Sequence, residues 1–346
     1  IYGFRHTRER SNQQALSDRI LSQKRYLQNE GKNSFRKVEY ENAVISAQDY
    51  LGGIRGADND AMKNSDYGSM WMLANLSHDS DLIHNILPYV RNFKIKQIYS
   101  DGIYKGAPKG QYFLWKSKRW VEEWGQHIEP MAITYYSIAD LANILLFEKE
   151  DEELENSIKN AADLLLRMQR GDGSWPLGID LASGEEIFPD LEDKRPTFYG
   201  LLVAYQVLNN SIYLEAAKKG ADWFVRNAVE TNQYVGVCGD TRFAPDFSTV
   251  MAAQALLDLY DITKDEKYRQ ASIKAAEYYT TYVYTWHNNK QDLGFTQSGL
   301  QCEHVGTIGS ANPQGPILLA SHAGFFVRMF QQTNDSIYID MARAAA

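Results

Sequence analysis

The feature that most narrows the folds open to this chain is how its helix-like segments are joined: a very short connection alternates with a long one. From Pro130 onward, apolar residues recur at helical spacing. "PMAITYYSIADLANILLFEK" (130–149) and "LENSIKNAADLLLRMQR" (154–170) flank the acidic turn Glu150 to Glu153, and a long loop, 171–196, follows. "TFYGLLVAYQVL" (197–208) and "IYLEAAKKGADWFVRNAV" (212–229) flank Asn209-Asn210-Ser211, with a second loop at 230–246. "FSTVMAAQALLDLYDI" (247–262) and "EKYRQASIKAAEYYTTYVYT" (266–285) flank Thr263-Lys264-Asp265, with a third loop at 286–315. "PILLASHAGFFVRMFQQ" (316–332) and "SIYIDMARAAA" (336–346) flank Thr333-Asn334-Asp335.

Helices joined by so short a turn run antiparallel, so the short turns gather at one end and the long loops at the other. The first helix of each pair is the more apolar, as in "LLVAYQVL" and "VMAAQALLDLY"; the second, as in "EKYRQASIKAAEYY", has one polar face. Repeated pairs of this kind stack or close into a ring. The expectation is an all-α fold, an α/α toroid of antiparallel helical hairpins, with inner helices starting near Pro130, Thr197, Phe247 and Pro316. Unpaired N–H groups at those starts would face the long loops, which is where function belongs. Before Pro130, residues 8–30, 36–51 and 69–87 read as helical, and 92–124 alternates between Gly turns as a small β-excursion would. The chain reads as one toroid domain, 1–346; the alternative is a separate N-terminal region, 1–125, ahead of a toroid at 126–346.

With 346 residues and 44% hydrophobic content, the chain can bury its own core without disulfide staples. A net charge of −8 and the absence of long basic runs exclude nucleic acid as the main partner. Two cysteines, Cys238 and Cys302, exclude a disulfide framework and leave a single bridge open. No stretch approaches the roughly 20 apolar residues needed for a membrane span. The outlier is aromatic: 22 Tyr, 14 Phe and 7 Trp. Aromatic rings fill cores and also stack on flat ligand faces, and with phosphate repelled by charge the flat ligand left is sugar.

Four hairpins with "QRGDGSWP" at the exit of an outer helix resemble the α/α-toroid carbohydrate-active enzymes, the six-hairpin glycoside hydrolases and the toroid polysaccharide lyases. The stretch Gln-x-x-Asp-Gly-Ser-Trp is also similar to the repeated motif of terpene and squalene cyclases, which share the architecture. Those cyclases need an Asp-x-Asp-Asp or Val-x-Asp-Thr-Ala box, and neither occurs here. "QDLGF" (291–295) is similar to a His-Asp-x-Gly-Phe stretch of unsaturated glucuronyl hydrolases, a resemblance that implies a catalytic role for Asp292.

Glycoside hydrolysis needs two carboxyl groups across the scissile bond, one protonated to assist the leaving oxygen and one ionised to attack or to activate water. The long loops supply many carboxylates, among them Glu129, Asp180, Asp240, Asp292 and Glu303. Asp240 in "VCGDTRF" and Glu303 in "LQCEHVG" have Gly neighbours and few charges around them, so burial would raise a pKa there; they are the first catalytic candidates, with Asp292, His304 and Glu129 after them. Substrate contacts are assigned to Trp120, Trp124, Trp175, Trp286, Tyr199, His127, Arg195 and Arg242. A guanidinium fork at Arg195 or Arg242 suits a uronic-acid carboxylate. Each has a plainer reading: Asp and Glu cap helices, loop arginines pair with loop aspartates, and Trp175 packs to pin its turn.

The function expected is glycoside hydrolysis of an oligosaccharide, possible uronic acid included, with no cofactor and no metal. The first alternative is a polysaccharide lyase, whose base and uronate neutraliser would come from Tyr199, His304 and Arg242. The second is a zinc-dependent toroid transferase or cyclase, similar in having Cys and His near one another (Cys238, Cys302, His304, His322), although the spacing departs from both known patterns. The third is a non-catalytic sugar-binding protein. A glycan substrate implies a periplasmic or extracellular location.

Overall fold

The computed structural model describes residues 67–110, 112–114, 118–122, 126–236, 247–281, 283–286, 307–310, 317–318 and 323–345. It divides into two compact units, one made of Ser17–Asp193 with Thr197–Trp223, the other of Ile1–Leu16, Lys194–Pro196 and Phe224–Ala346.

The first unit opens with α1 (Tyr67–Ser77), then a π-helical turn (Leu82–Ile86) that runs into α2 (Leu87–Gln97). Helix α2 corrects the expected excursion at 92–124. Its buried positions are Leu87, Val90, Phe93, Lys94 and Gln97, a helical spacing hidden from the sequence because two of them are polar. Both are satisfied: Lys94 Nζ donates to Asp140 and to Gln97 Oε1, each at 2.6 Å, and Gln97 Nε2 donates to the Gly110 carbonyl at 2.8 Å. The strands of the excursion are a hairpin of β1 (Tyr112–Leu114) and β2 (Arg119–Val121), preceded by a bridge between Ile98 and Pro108.

After β3 (His127–Ile128) a helical run carries the chain from Pro130 to Leu145 as α3 (Pro130–Ala132), a π-helical segment (Ile133–Ala139) and α4 (Asp140–Leu145). Helix α5 (Glu152–Met168) returns antiparallel, burying Leu154, Ile158, Ala161, Ala162 and Leu165 along one stripe. The loop that follows holds β4 (Gly178–Asp180) and β5 (Glu186–Ile187), and the next hairpin is α6 (Phe198–Leu208) with α7 (Ser211–Phe224). Helix α6 is buried without interruption from Gly200 to Ala204, as expected of the more apolar member of a pair.

The second unit takes up the chain with a π-helical turn (Val225–Val229) at the end of α7, then two hairpins, α8 (Phe247–Thr263) with α9 (Glu266–Thr280) and α10 (Ala323–Thr333) with α11 (Ser336–Ala345). Between them β6 (Val283–Trp286), β7 (Thr307–Ser310) and β8 (Ile317–Leu318) form an antiparallel sheet in that order. Two expectations are corrected here. The helix read as 266–285 stops at Thr280, because "VYTW" is β-branched and aromatic and pairs with 307–310. The helix read as starting at Pro316 starts at Ala323, because Ile317 and Leu318 pair with β7.

All four hairpin turns are built alike. Each places a residue in the left-handed region, Glu150, Asn209, Lys264 or Asn334, at φ between 53° and 66°. The residue after it caps the next helix: side-chain oxygens of Asp151, Asn210, Asp265 and Asp335 accept from backbone N–H groups two residues on. Among the described residues no helix is long and apolar enough to cross a membrane.

Candidate functional site

The long loop 171–196 of the first unit is built by its sequence in two stages. The "QRGDGSWP" turn comes first. Gln169 Nε2 donates to the carbonyls of Gly173 (3.2 Å) and Ala216 (3.0 Å), tying the turn to α7. Gly173 sits at φ 102°, and a Cβ there would lie 2.5 Å from the Lys219 carbonyl oxygen, so only glycine fits. Asp172 accepts from the N–H and hydroxyl of Ser174; burial pushes its carboxyl up, and these bonds outweigh burial and hold it below the ordinary carboxylate range. The Trp175 indole is 4% exposed, lies against Gly220, and donates its N–H to the Leu165 carbonyl at 2.9 Å. It pins the turn, the plainer of the two roles read from the sequence, and offers no open face to a sugar.

The second stage is a three-stranded antiparallel sheet, β3-β4-β5, which brings the loop against the entry to the Pro130 helix. His127 faces Asp180 and Ile128 faces Ile179 across β3 and β4, and Ile179 faces Glu186 and Gly178 faces Ile187 across β4 and β5. Glu129 keeps extended backbone (φ −99°, ψ 128°), so the register carries on and sets it beside Gly178. Side chains alternate across a strand. His127, Glu129, Asp180 and Ile187 therefore share one face, and Ile128, 2% exposed, turns to the core on the other.

On that shared face His127 Nε2 lies 3.0 Å from Glu129 Oε1, with both side chains largely buried. Asp180 accepts from the N–H groups of Ala182 and Ser183 and from the Ser183 hydroxyl. The Ser183 N–H and hydroxyl, then Ala182 and the nearby His127, hold its carboxyl below the usual range, so it stays ionised. A hydrogen-bonded carboxyl and an ionised one thus flank a histidine. The site lies where two helices begin: Thr134 Oγ1 donates to the Thr197 carbonyl at 3.0 Å, and the Thr197 hydroxyl reaches Met131 Sδ at 3.5 Å, fixing the start of α6 beside the start of α3.

Of the residues singled out in the sequence, this site brings together Glu129 and His127, and Tyr199 lies in the first turn of α6. Trp120 is not in it. It sits half-buried on β2 in an aromatic cluster, with ring centroids 5.2 Å from Phe93 and 5.1 Å from Phe113. Arg195 is buried and belongs to the second unit. Trp286 ends β6 opposite Thr307. Asp240, Asp292, Glu303, His304, Trp124 and Arg242 lie outside the described residues, as do Cys238, Cys302 and His322 of the zinc reading. Among the described residues, no group of three or more His, Cys, Asp or Glu side chains is placed to hold a metal. The residue that sequence reasoning did not set apart is Asp180: it is one of several loop carboxylates until β3 and β4 pair and bring it opposite His127.

No protein-family model matches the chain, and no curated protein matches it. Solved structures do. A GH76 alpha-mannanase from Bacteroides thetaiotaomicron is 15% identical over 89% of this chain and 82% of its own, with a TM-score of 0.52. A sugar epimerase from a ruminal bacterium is 13% identical over 83% of this chain and 75% of its own, also with a TM-score of 0.52. Likeness at this level is one of fold. The chain has the α/α-toroid fold that these carbohydrate-active enzymes share.

Proposed function

We propose that this protein is a glycoside hydrolase acting on an oligosaccharide or polysaccharide, with Glu129 as general acid, His127 positioning it, and Asp180 as the ionised partner. The observation that carries the reading is the single sheet face on which these three residues stand, at the loop-side entry to two apolar helices. Glu129 and Asp180 are diagonal neighbours across β3 and β4, which places their backbones about 7–8 Å apart. Inverting glycosidases hold their carboxyl groups roughly 6.5–9.5 Å apart and retaining ones roughly 5–5.5 Å, so the anomeric configuration of the first product reports the separation of the two side chains. The protonated acid would assist the leaving oxygen, and Asp180 would take a proton from the attacking water.

The name of the mannanase neighbour makes α-mannan the first substrate to try. Uronic-acid-containing glycans come next, a choice that rests on Arg195 and Arg242. Asp240, Glu303, Asp292 and His304 remain the alternative catalytic set within the same class of reaction, and a periplasmic or extracellular site of action goes with a glycan substrate. Incubation of the protein with each glycan, following new reducing ends, ultraviolet absorbance of unsaturated uronates and the anomeric proton signals of the first product, tests the reading. New reducing ends are expected. Unsaturated ends would establish the lyase, and an isomerised sugar with no bond cleaved would establish an epimerase, the activity named for the second neighbour.

A further inference from the structure

The sheet row that holds the proposed acid differs in kind from the row that holds the proposed base. Leu181 N–H donates to the Gln126 carbonyl at 3.0 Å, so residues 126 and 181 are a hydrogen-bonded pair. By alternation Glu129 and Gly178 are a non-hydrogen-bonded one, with Cα atoms about 4.5 Å apart. Next in their row stands Ile187, on β5. The other row runs from His127 to Asp180 and on to Glu185, whose carbonyl accepts the Asp180 N–H at 2.9 Å. That row is polar throughout, whereas Glu129 is followed by a glycine and an isoleucine.

Gly178 leaves the middle of its row bare, and Ile187 fills the space. A Cβ at Gly178 would lie 2.8 Å from Ile187 Cδ1 and 3.1 Å from Ile187 Cγ1. The tip of the side chain is the nearer atom, so Ile187, half-buried, runs from its own strand across β4 towards β3. Its neighbour Glu186 turns to the opposite face and pairs with Arg170, which holds β5 in this orientation.

We infer that Ile187 is a positioning residue for Glu129: laid over the bare Gly178, its side chain keeps water from the side of the Glu129 carboxyl that faces β4. The inference rests on the assignment of Glu129 as the general acid. An apolar wall disfavours the charged form of a carboxyl, and the hydrogen bonds from Ser183 favour it at Asp180, so one sheet face holds two carboxyls in opposite forms. The titratable groups of the elements that meet there are His127 on β3, Asp180 on β4, Glu185 on β5 and Tyr199 in the first turn of α6. All four stay in place in the test.

The test compares the intact chain with Ile187→Ala, Ile187→Leu and the double variant Gly178→Ala/Ile187→Ala, and uses Glu186→Gln as a control on the opposite face. The Glu129 carboxyl is titrated by carbon-13 NMR on glutamate-labelled protein, its signal identified by its loss in Glu129→Gln, and kcat/KM is followed against pH on whichever glycan the wild type cleaves. A general acid works protonated, so activity falls as pH rises through its pKa. In Ile187→Ala water reaches the carboxyl, and the NMR midpoint and the basic limb of kcat/KM should both move to lower pH by about 0.5–1, with the acid limb unchanged. Ile187→Leu should keep the wild-type midpoint. The double variant, whose new methyl takes the place that Cδ1 vacates, should recover most of the difference, and Glu186→Gln should leave the titration where it was. An Ile187→Ala midpoint equal to that of the wild type, or a change matched by Glu186→Gln, overturns the inference. A moved midpoint in a protein that cleaves none of the glycans leaves Ile187 acting on Glu129 and removes the hydrolase reading; a moved NMR midpoint with an unmoved basic limb takes Glu129 out of the role of acid.

Discussion

Ser183 is the residue whose loss speaks most directly to the proposed chemistry, because its N–H and hydroxyl are the main cause of the depressed Asp180 pKa. If Asp180 is the base, activity requires its ionised form and is lost as pH falls through that depressed pKa. Removing the hydroxyl in Ser183→Ala raises the pKa toward the ordinary value near 3.9, so the acid limb of kcat/KM moves to higher pH while the basic limb stays. A pH–rate profile unchanged by the substitution would separate Asp180 from the rate. Packing can be tested at Gly220, where an added Cβ would lie 2.5 Å from the Trp175 ring. Gly220→Ala should cost about 1–3 kcal/mol by overpacking, measured as a lower midpoint in urea. Residues of both kinds show where the sequence is readable. Trp175 announces itself as a turn residue that must pack or bind, but the choice depends on the Leu165 carbonyl and on Gly220, neither of which is near it in the chain. Lys94 and Gln97 are the reverse case: a buried lysine looks like surface until Asp140 supplies its partner.

The helical hairpins are the most legible elements, because apolar spacing and short polar turns name both the helices and their antiparallel order. What the spacing does not reveal is how closely the turns repeat. Thr263 and Thr333 each donate from Oγ1 to the carbonyl four residues back and accept from the N–H of the capping Asp265 or Asp335. Three residues past each cap, Tyr268 and Tyr338 are buried, as is Tyr213 after Asn210. Asp265→Ala and Asp335→Ala should each cost about 1 kcal/mol as lost N-caps, while Lys264→Gly, which relieves a φ of 57°, should stabilise the protein by about 0.5–1 kcal/mol. Chemical unfolding of the three variants checks both signs. The short strands are the least legible elements. Strands β3, β4 and β5 are two or three residues long, and the pairing that defines them comes from loops some fifty residues apart. A pattern of period 2 has no length over which to show itself there, so His127 and Glu129 can be named from the sequence while their common face with Asp180 cannot.

At the scale of the whole molecule, acid should unfold the protein through its capping carboxylates. Burial pushes the Asp151 carboxyl up, and hydrogen bonds from Arg91 and from the N–H groups of Leu154 and Glu153 more than offset this and hold it low. A depressed folded-state pKa contributes stability that is present above the unfolded value near 3.9 and is lost as pH falls through the folded one. Thermal midpoints should therefore fall steeply below about pH 4, and less steeply in Asp151→Asn. The toroid fold itself sets no chemistry, since a mannanase and a sugar epimerase both share it. The account stands on Glu129. On whichever glycan the wild-type protein cleaves, kcat/KM of Glu129→Gln, measured beside Asp240→Asn and Glu303→Gln, should fall by about 10²-fold or more, the loss expected when a general acid is removed. Full activity in Glu129→Gln, with the loss appearing instead in Asp240→Asn and Glu303→Gln, would contradict it.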